Sequence, residues 1–72
     1  MTNTYTAILK KADDWWIGWV EEVPGVNCQE RTREELLKSI KEALETIIEL
    51  NREASRRDAG DSAETAEITV AA

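Results

Sequence analysis

The side chains that most often carry out chemistry in proteins are sparse in this sequence. The 72-residue chain has no histidine and one cysteine, Cys28, so neither a histidine-based triad nor a cluster of thiolate metal ligands can be built. No base that would activate a hydroxyl can be identified for its serines, which are Ser39, Ser55 and Ser62. We therefore expect a protein that is not an enzyme and that holds no metal ion or cofactor.

Three tryptophans in the run DDWWIGWV, residues 13–20, are the strongest signal for function. Side chains alternate along a strand, so Trp15, Ile17 and Trp19 point one way while Trp16, Gly18 and Val20 point the other. A single helix covers one face of a small sheet, and an uncovered apolar face marks an interaction site. We take as candidate contacts with a partner or a second copy the three tryptophans and the acidic pair that follows: Trp15, Trp16, Trp19, Glu21 and Glu22.

An alternative is that the tryptophan rings fill the core beneath a helix. This alternative suits one or two of the three rings, because each indole buries about 150 to 250 Å² when it is covered. It does not suit all three, because Trp15 and Trp16 cannot face the same side of a regular strand.

The elements around the tryptophans are predicted from alternation and turn chemistry. Residues 4–11 form a first strand, a turn follows at Ala12, Asp13 and Asp14, and residues 15–22 return as a second strand. A hairpin loop of two or four residues places Ile8 on the Trp15 face and Tyr5, Ala7 and Leu9 on the other; a three-residue loop exchanges these partners. Pro24-Gly25 is predicted to end the second strand, and residues 26–31 are a weaker candidate for a third.

A helix follows, and its start is marked by Thr32 and Glu35, which match a capping box. Its apolar stripe consists of Leu36, Leu37, Ile40, Ala43, Leu44, Ile47 and Ile48. Gly60 is the predicted stop, and the alternation over residues 64–70 predicts a final half-buried strand. The sequence thus predicts one α+β domain over residues 1–72, with the order β-β-β-α-β and the helix on one face of a small, mostly antiparallel sheet.

Charge and size limit the classes of partner. The chain has 9 Lys and Arg against 15 Asp and Glu, a net charge of −6, which disfavours direct nucleic-acid and membrane-surface binding and favours a basic protein partner. A chain this short buries only about 60 % of its unfolded surface, so a homo-oligomer, dimer or tetramer, is also expected. With a single cysteine and no apparent signal peptide or membrane span, the expected location is the cytoplasm.

The order of these features resembles the HicB-like antitoxins of prokaryotic type II toxin–antitoxin systems. The resemblance covers about residues 4–50 and is carried by three segments: Tyr5-x-Ala7-x-Leu9, the run DDWWIGWVEEVPGV, and the helix opening TREEL. It implies a partial ribonuclease-H-like fold with the last strand parallel beside the first. It also implies a small basic HicA-like RNA-cleaving toxin as the partner. Many family members carry an additional DNA-binding domain, which this sequence does not contain, so DNA binding is not implied.

The chain departs from the family pattern in two places, a turn and a helix position. Glu30 and Arg31 stand where a glycine and an acidic residue are usual, and Leu36 replaces a usual alanine, which asks for more space between helix and sheet. Nuclease activity is not expected despite the fold name. Ribonuclease-H-type catalysis needs a carboxylate in the middle of the first strand, and TYTAILKK has none.

The expected function is therefore that of a HicB-like antitoxin. The alternative is a self-assembling module without a toxin, in which the uncovered sheet face closes a homo-oligomer.

Overall fold

A computed structural model describes residues 4–70 of the chain. Three strands and one helix follow each other in the sequence: β1 (Ala7–Ala12), β2 (Trp15–Val20), β3 (Val23–Glu30) and α1 (Arg33–Ala59). The strands form one antiparallel sheet in the order β1-β2-β3. The three-stranded sheet and the long helix of the predicted α+β fold are confirmed.

The first hairpin has a two-residue loop made by Asp13 and Asp14. Ala12 pairs with Trp15 across the loop, and Asp13 has a φ of 56°, a left-handed backbone conformation that aspartate tolerates better than most residues. The resulting register places Ile8 opposite Trp19 and Leu9 opposite Gly18. Ile8 therefore shares a face with Trp19, as a two-residue loop requires.

The second turn differs from the sequence prediction. β2 ends at Val20, and Glu21 and Glu22 form the turn, so Pro24-Gly25 lies inside β3 and does not end β2. Val20 pairs with Val23 and Trp19 pairs with Asn27, so residues 24–26 bulge out of the ladder. A bulge accommodates both residues, because proline donates no ladder hydrogen bond and Gly25 adopts a φ of 95°.

Helix α1 begins where the capping box predicts. The backbone N–H of Glu35 donates to Thr32 Oγ1 at 3.1 Å, and the Thr32 hydroxyl donates to Glu35 Oε1 at 2.9 Å. The helix ends at Gly60, whose φ is 79° and whose N–H donates to the Arg56 carbonyl at 3.3 Å. At about 1.5 Å per residue, α1 is on the order of 40 Å long, whereas β3 spans only about 26 Å. The helix is therefore longer than the strands that it covers, and Leu50 in its second half is 54 % exposed.

The core lies between α1 and one face of the sheet. Val20, Val26, Leu36 and Ile40 are its buried side chains, and partly buried neighbours pack around them. The helix lies mainly over β3 and β2 and touches β1 little. Gly18 lets it approach closely: a β-carbon there would lie 2.8 Å from Cδ1 of Ile40. The helix thus covers one face of the sheet, and covers it unevenly.

The predicted final strand over residues 64–70 is not formed. This segment has no regular secondary structure, and Ile68 and Val70 are 82 % and 81 % exposed. Strand formation requires a partner edge to supply ladder hydrogen bonds, and alternation alone does not provide one. In the part of the chain that the structure describes, no strand lies parallel beside β1, in contrast to the arrangement that the HicB-like resemblance implies.

Candidate protein-binding face

The sheet face that points away from the helix carries most of the exposed aromatic surface. Its members follow from the strand registers, and we call this set the open face: Ile8, Lys10, Trp15, Ile17, Trp19, Asn27 and Gln29. Trp15 and Trp19 are 36 % and 38 % exposed, and Ile8 and Ile17 are half-buried. Tryptophan side chains are usually well buried, yet two of them on one strand are partly exposed to solvent.

The two exposed rings stand at opposite ends of the open face. They are four residues apart on β2, which is about 13 Å, and Ile17 lies between them. A shallow depression bounded by Ile17, Trp19, Asn27 and Gln29 lies over β2 and β3. An apolar row with amide groups beside it can pack against apolar side chains and also hydrogen-bond to a partner's backbone.

Trp16 is separated from the other two tryptophans. It points to the helix side of the sheet, is half-buried and packs against the core cluster. The Lys11 Nζ lies 5.6 Å from its ring centroid. Of the five candidate contact residues, Trp15 and Trp19 therefore share the open face, and Trp16 does not.

The Trp15 end of the open face carries charges of both signs. The Arg31 guanidinium lies over the Trp15 ring, 4.1 Å from its centroid, at a distance typical of a cation–π contact. Lys10 is the other basic residue on this face. One face of the Trp15 ring is therefore covered by Arg31, and the exposed Asp13 and Asp14 directly precede Trp15 in the sequence.

The Trp19 end is close to the acidic turn. Glu21 and Glu22 follow Val20 directly, and Glu21 is exposed. The backbone N–H of Thr6 donates to Glu22 Oε1 at 2.8 Å, and the Glu21 N–H donates to the Thr6 carbonyl at 2.9 Å. The hydrogen bond from Thr6 holds the pKa of the Glu22 carboxyl below its ordinary value. Glu22 thus ties the turn to the chain before β1, while Glu21 remains for a partner.

Cys28 and Glu30 lie on the helix side of β3. Burial raises the pKa of the Cys28 thiol, and the nearby negative charge of Glu30 raises it further, so the thiol is not activated as a nucleophile. The Ser39 hydroxyl donates to Glu30 Oε2 at 2.7 Å. Glu30, one of the two residues that depart from the family's turn pattern, therefore connects the end of β3 to the first turns of α1.

Sequence reasoning did not identify the ring contact of Arg31 or the hydrogen bond of Glu22. Glu21 and Glu22 have the same side chain, and only the backbone path of the turn decides which one reaches Thr6. Within residues 4–70, no group of three or more His, Cys, Asp or Glu side chains is arranged to hold a metal ion. Over the same residues, no helix is both long and apolar enough to cross a membrane.

Comparison of the chain with protein-family models, with curated proteins and with solved structures finds no match. The HicB-like resemblance therefore depends on the residues quoted for it.

Proposed function

We propose that this chain is a HicB-like antitoxin, or a stand-alone relative, that binds and neutralises a small basic RNA-cleaving toxin in the prokaryotic cytoplasm. The observation that carries the proposal is the open face, where Trp15 and Trp19 remain 36 % and 38 % exposed on the side of the sheet that the helix does not cover. Tryptophan is over-represented among the residues that dominate protein–protein binding energy.

The acidic turn makes the Trp19 end a place where charge favours docking. A basic toxin surface is attracted by a chain of net charge −6, and Glu21 presents an exposed carboxylate one residue after Val20. At the Trp15 end, Arg31 repels such a surface, whereas the exposed Asp13 and Asp14 of the first hairpin loop attract it. The toxin is therefore expected to place an apolar group on Trp19 and a lysine or arginine near Glu21, so that its RNA-binding surface is covered.

The size of the open face limits the geometry of the complex. Three strands about 4.8 Å apart and about 20 Å long offer a projected area on the order of 300 Å². A stable complex buries about 800 Å² on each partner. The toxin must therefore extend beyond the open face, and the acidic turn beside Trp19 is the extension that its charge favours.

The test uses the small basic protein encoded beside the gene for this chain, if it carries a histidine. The two purified proteins are mixed, complex formation is followed by size-exclusion chromatography, and cleavage of RNA by the basic protein is measured with and without this chain. A stable complex and protected RNA are expected. Separate elution together with undiminished RNA cleavage would contradict the proposal.

Leu37 provides a matched control for Trp19. The two side chains are almost equally exposed, at 37 % and 38 %, but Leu37 lies on α1, outside the open face. Trp19→Ser is expected to weaken the complex about 30-fold or more, as loss of a central aromatic contact does. Leu37→Ser is expected to leave the affinity within about threefold of the original.

A second candidate function is a self-assembling module without a toxin. It is favoured by the same two exposed indoles, since two copies could cover each other's open faces. Sedimentation equilibrium of the protein alone distinguishes this candidate: a dimer that Trp19→Ser dissociates supports it, and a dimer that is insensitive to Trp19→Ser counts against it.

A further inference from the structure

Two carboxamide side chains share the depression of the open face with two apolar ones. Ile17 and Trp19 stand on β2, and the residues that pair with them on β3 are Gln29 and Asn27, respectively. All four residues line the depression. One side of it is therefore apolar, and the other side carries two neutral groups that each donate and accept hydrogen bonds.

Neither carboxamide has a hydrogen-bond partner within residues 4–70. The side-chain hydrogen bonds formed over this range involve neither Asn27 nor Gln29, and both residues are exposed. Asparagine is depleted in strands, so strand propensity does not account for Asn27. In the free protein, both groups are left to hydrogen-bond with water.

Docking of a partner removes these groups from water. The proposed function, on which this inference rests, places a protein against Trp19, and Asn27 lies directly opposite Trp19 on the neighbouring strand. The Cβ atoms of such a pair are about 4.5 to 5.5 Å apart, so a surface that covers the ring also covers the carboxamide. A polar group that is buried without a hydrogen bond weakens a complex about tenfold. The partner must therefore supply hydrogen-bonding groups at this place.

The spacing of the two carboxamides matches an extended backbone. Asn27 and Gln29 are two positions apart on β3, which is about 6.6 Å. The backbone groups on one side of an extended segment recur at the same interval, whereas a helix uses its backbone groups internally except at its two ends. An exposed strand or an extended loop thus offers unpaired N–H and C=O groups at the required distance.

The surroundings of the depression define the side chains of the segment. Ile17 and Trp19 favour an apolar side chain that points to the sheet, and none of the residues that line the depression is charged. Beyond Trp19, the exposed Glu21 attracts a lysine or arginine. Lys10 stands opposite Ile17 on β1, so the basic residue is expected at the Trp19 end of the segment and not at the Ile17 end.

We propose that Asn27 and Gln29 bind the backbone of an extended segment of the partner, whose apolar side chain packs on Ile17 and Trp19 and whose basic residue lies beside Glu21. The two carboxamides select a strand or an extended loop over a helix. Because they bond to the backbone, the side chains of the segment are recognised only at its apolar and basic positions.

The test titrates the neighbouring basic protein calorimetrically with the wild-type chain, Asn27→Leu and Gln29→Met. Both changes roughly keep the size of the side chain and remove its hydrogen-bonding groups. If the carboxamides bond to the partner's backbone, each change leaves a buried backbone group unpaired and is expected to weaken binding about fivefold or more. If they make no such bonds, each change only replaces polar surface by apolar surface, so unchanged or tighter binding would overturn the inference.

Asn51→Leu is the matched control, because Asn51 is an exposed carboxamide on α1, outside the open face. It is expected to leave the affinity within about twofold of the original, and circular dichroism checks that every variant is folded. A loss equal to those of Asn27→Leu and Gln29→Met would overturn the inference, because the effect would then not belong to the open face.

Nuclear magnetic resonance of the isotope-labelled partner identifies its conformation. The amide signals that differ between the complexes with the wild-type chain and with Gln29→Met mark the contacted segment, and the carbon-13 Cα shifts there are expected to be those of a strand. Helical shifts in that segment would overturn the inference. Absence of binding by the wild-type chain refutes the proposed function and this inference together, whereas wild-type binding that is insensitive to both carboxamides refutes the inference alone.

Discussion

Gly18→Ala tests whether α1 lies on the sheet as closely as the structure has it. The added β-carbon would lie 2.8 Å from Cδ1 of Ile40, 3.0 Å from the carbonyl oxygen of Ile8 and 3.1 Å from Cδ2 of Leu36. Carbon atoms in favourable contact are about 3.5 to 4.0 Å apart. The helix or its side chains must therefore move away from β2 to accept one methyl group.

The expected loss of stability follows from two opposing effects. Overpacking a core by a methylene or two costs about 1 to 3 kcal/mol. Replacing glycine by alanine restricts the unfolded chain and returns about 0.4 to 1 kcal/mol. The net decrease in the free energy of unfolding is thus expected to be about 1 to 2 kcal/mol. In a domain of this size such a decrease lowers the melting temperature by roughly 4 to 16 °C.

Ile40→Val supplies the control, because it removes Cδ1, the atom nearest to the new β-carbon. Alone, this change is expected to cost about 0.5 to 1.5 kcal/mol. Combined with Gly18→Ala, it relieves the closest contact, so the double variant should be about 0.5 to 1 kcal/mol more stable than the sum of the single changes predicts. Urea denaturation followed by circular dichroism measures all four proteins. A neutral Gly18→Ala, or strictly additive losses, would refute the close packing of helix and sheet.

Three further predictions concern single side chains. Trp16→Ser is expected to lower the free energy of unfolding by about 2 to 4 kcal/mol, because the ring packs on the core. Trp19→Ser should cost less, because the helix does not cover its ring, and equal losses in urea titrations would contradict the assignment of the two rings to opposite faces. The hydrogen bond from Thr6 lowers the pKa of Glu22 in the folded state, so the stability that this bond contributes is complete above the ordinary pKa of 4.5 and is lost as the pH falls through the lowered pKa. Glu22→Gln should therefore flatten the decline of the melting temperature in that acidic range. An unchanged acid profile would count against the hydrogen bond. Thr32→Ala removes the helix cap and should lower the free energy of unfolding by about 1 kcal/mol in the same titrations, whereas Thr32→Ser should stay close to wild type. An unchanged stability of Thr32→Ala would show that the cap does not stabilise α1.

Local chemistry made much of the fold predictable. The capping box at Thr32 fixed the helix start, because the two side chains satisfy backbone groups within one turn. The aspartate pair indicated the first hairpin, whereas the length of its loop, and with it the side of the sheet on which Ile8 lies, came only from the structure. These features involve residues close in the sequence, where propensity and spacing are most informative.

The less predictable features depend on contacts between distant residues. Pro24-Gly25 is typical of a strand end, yet the pairing of β3 with β2 resumes at Asn27 because a bulge accommodates both residues. The alternation over residues 64–70 predicts a strand, but a strand forms only where an edge strand of a sheet is free to pair with it. For the candidate site, alternation separated Trp15 and Trp19 from Trp16, but the sequence could not say which set the helix covers. In the structure the helix lies on the Gly18 side of β2, where a β-carbon at Gly18 would be 2.8 Å from Cδ1 of Ile40 and 3.1 Å from Cδ2 of Leu36.

The central claim is that the open face binds another protein through Trp19. Its most direct test is calorimetric titration of the neighbouring basic protein with the wild-type chain, Trp19→Ser and Leu37→Ser, each shown to be folded beforehand. The account predicts that Trp19→Ser weakens binding about 30-fold or more and that Leu37→Ser changes it less than about threefold. Equal affinities for the wild-type chain and Trp19→Ser would contradict it.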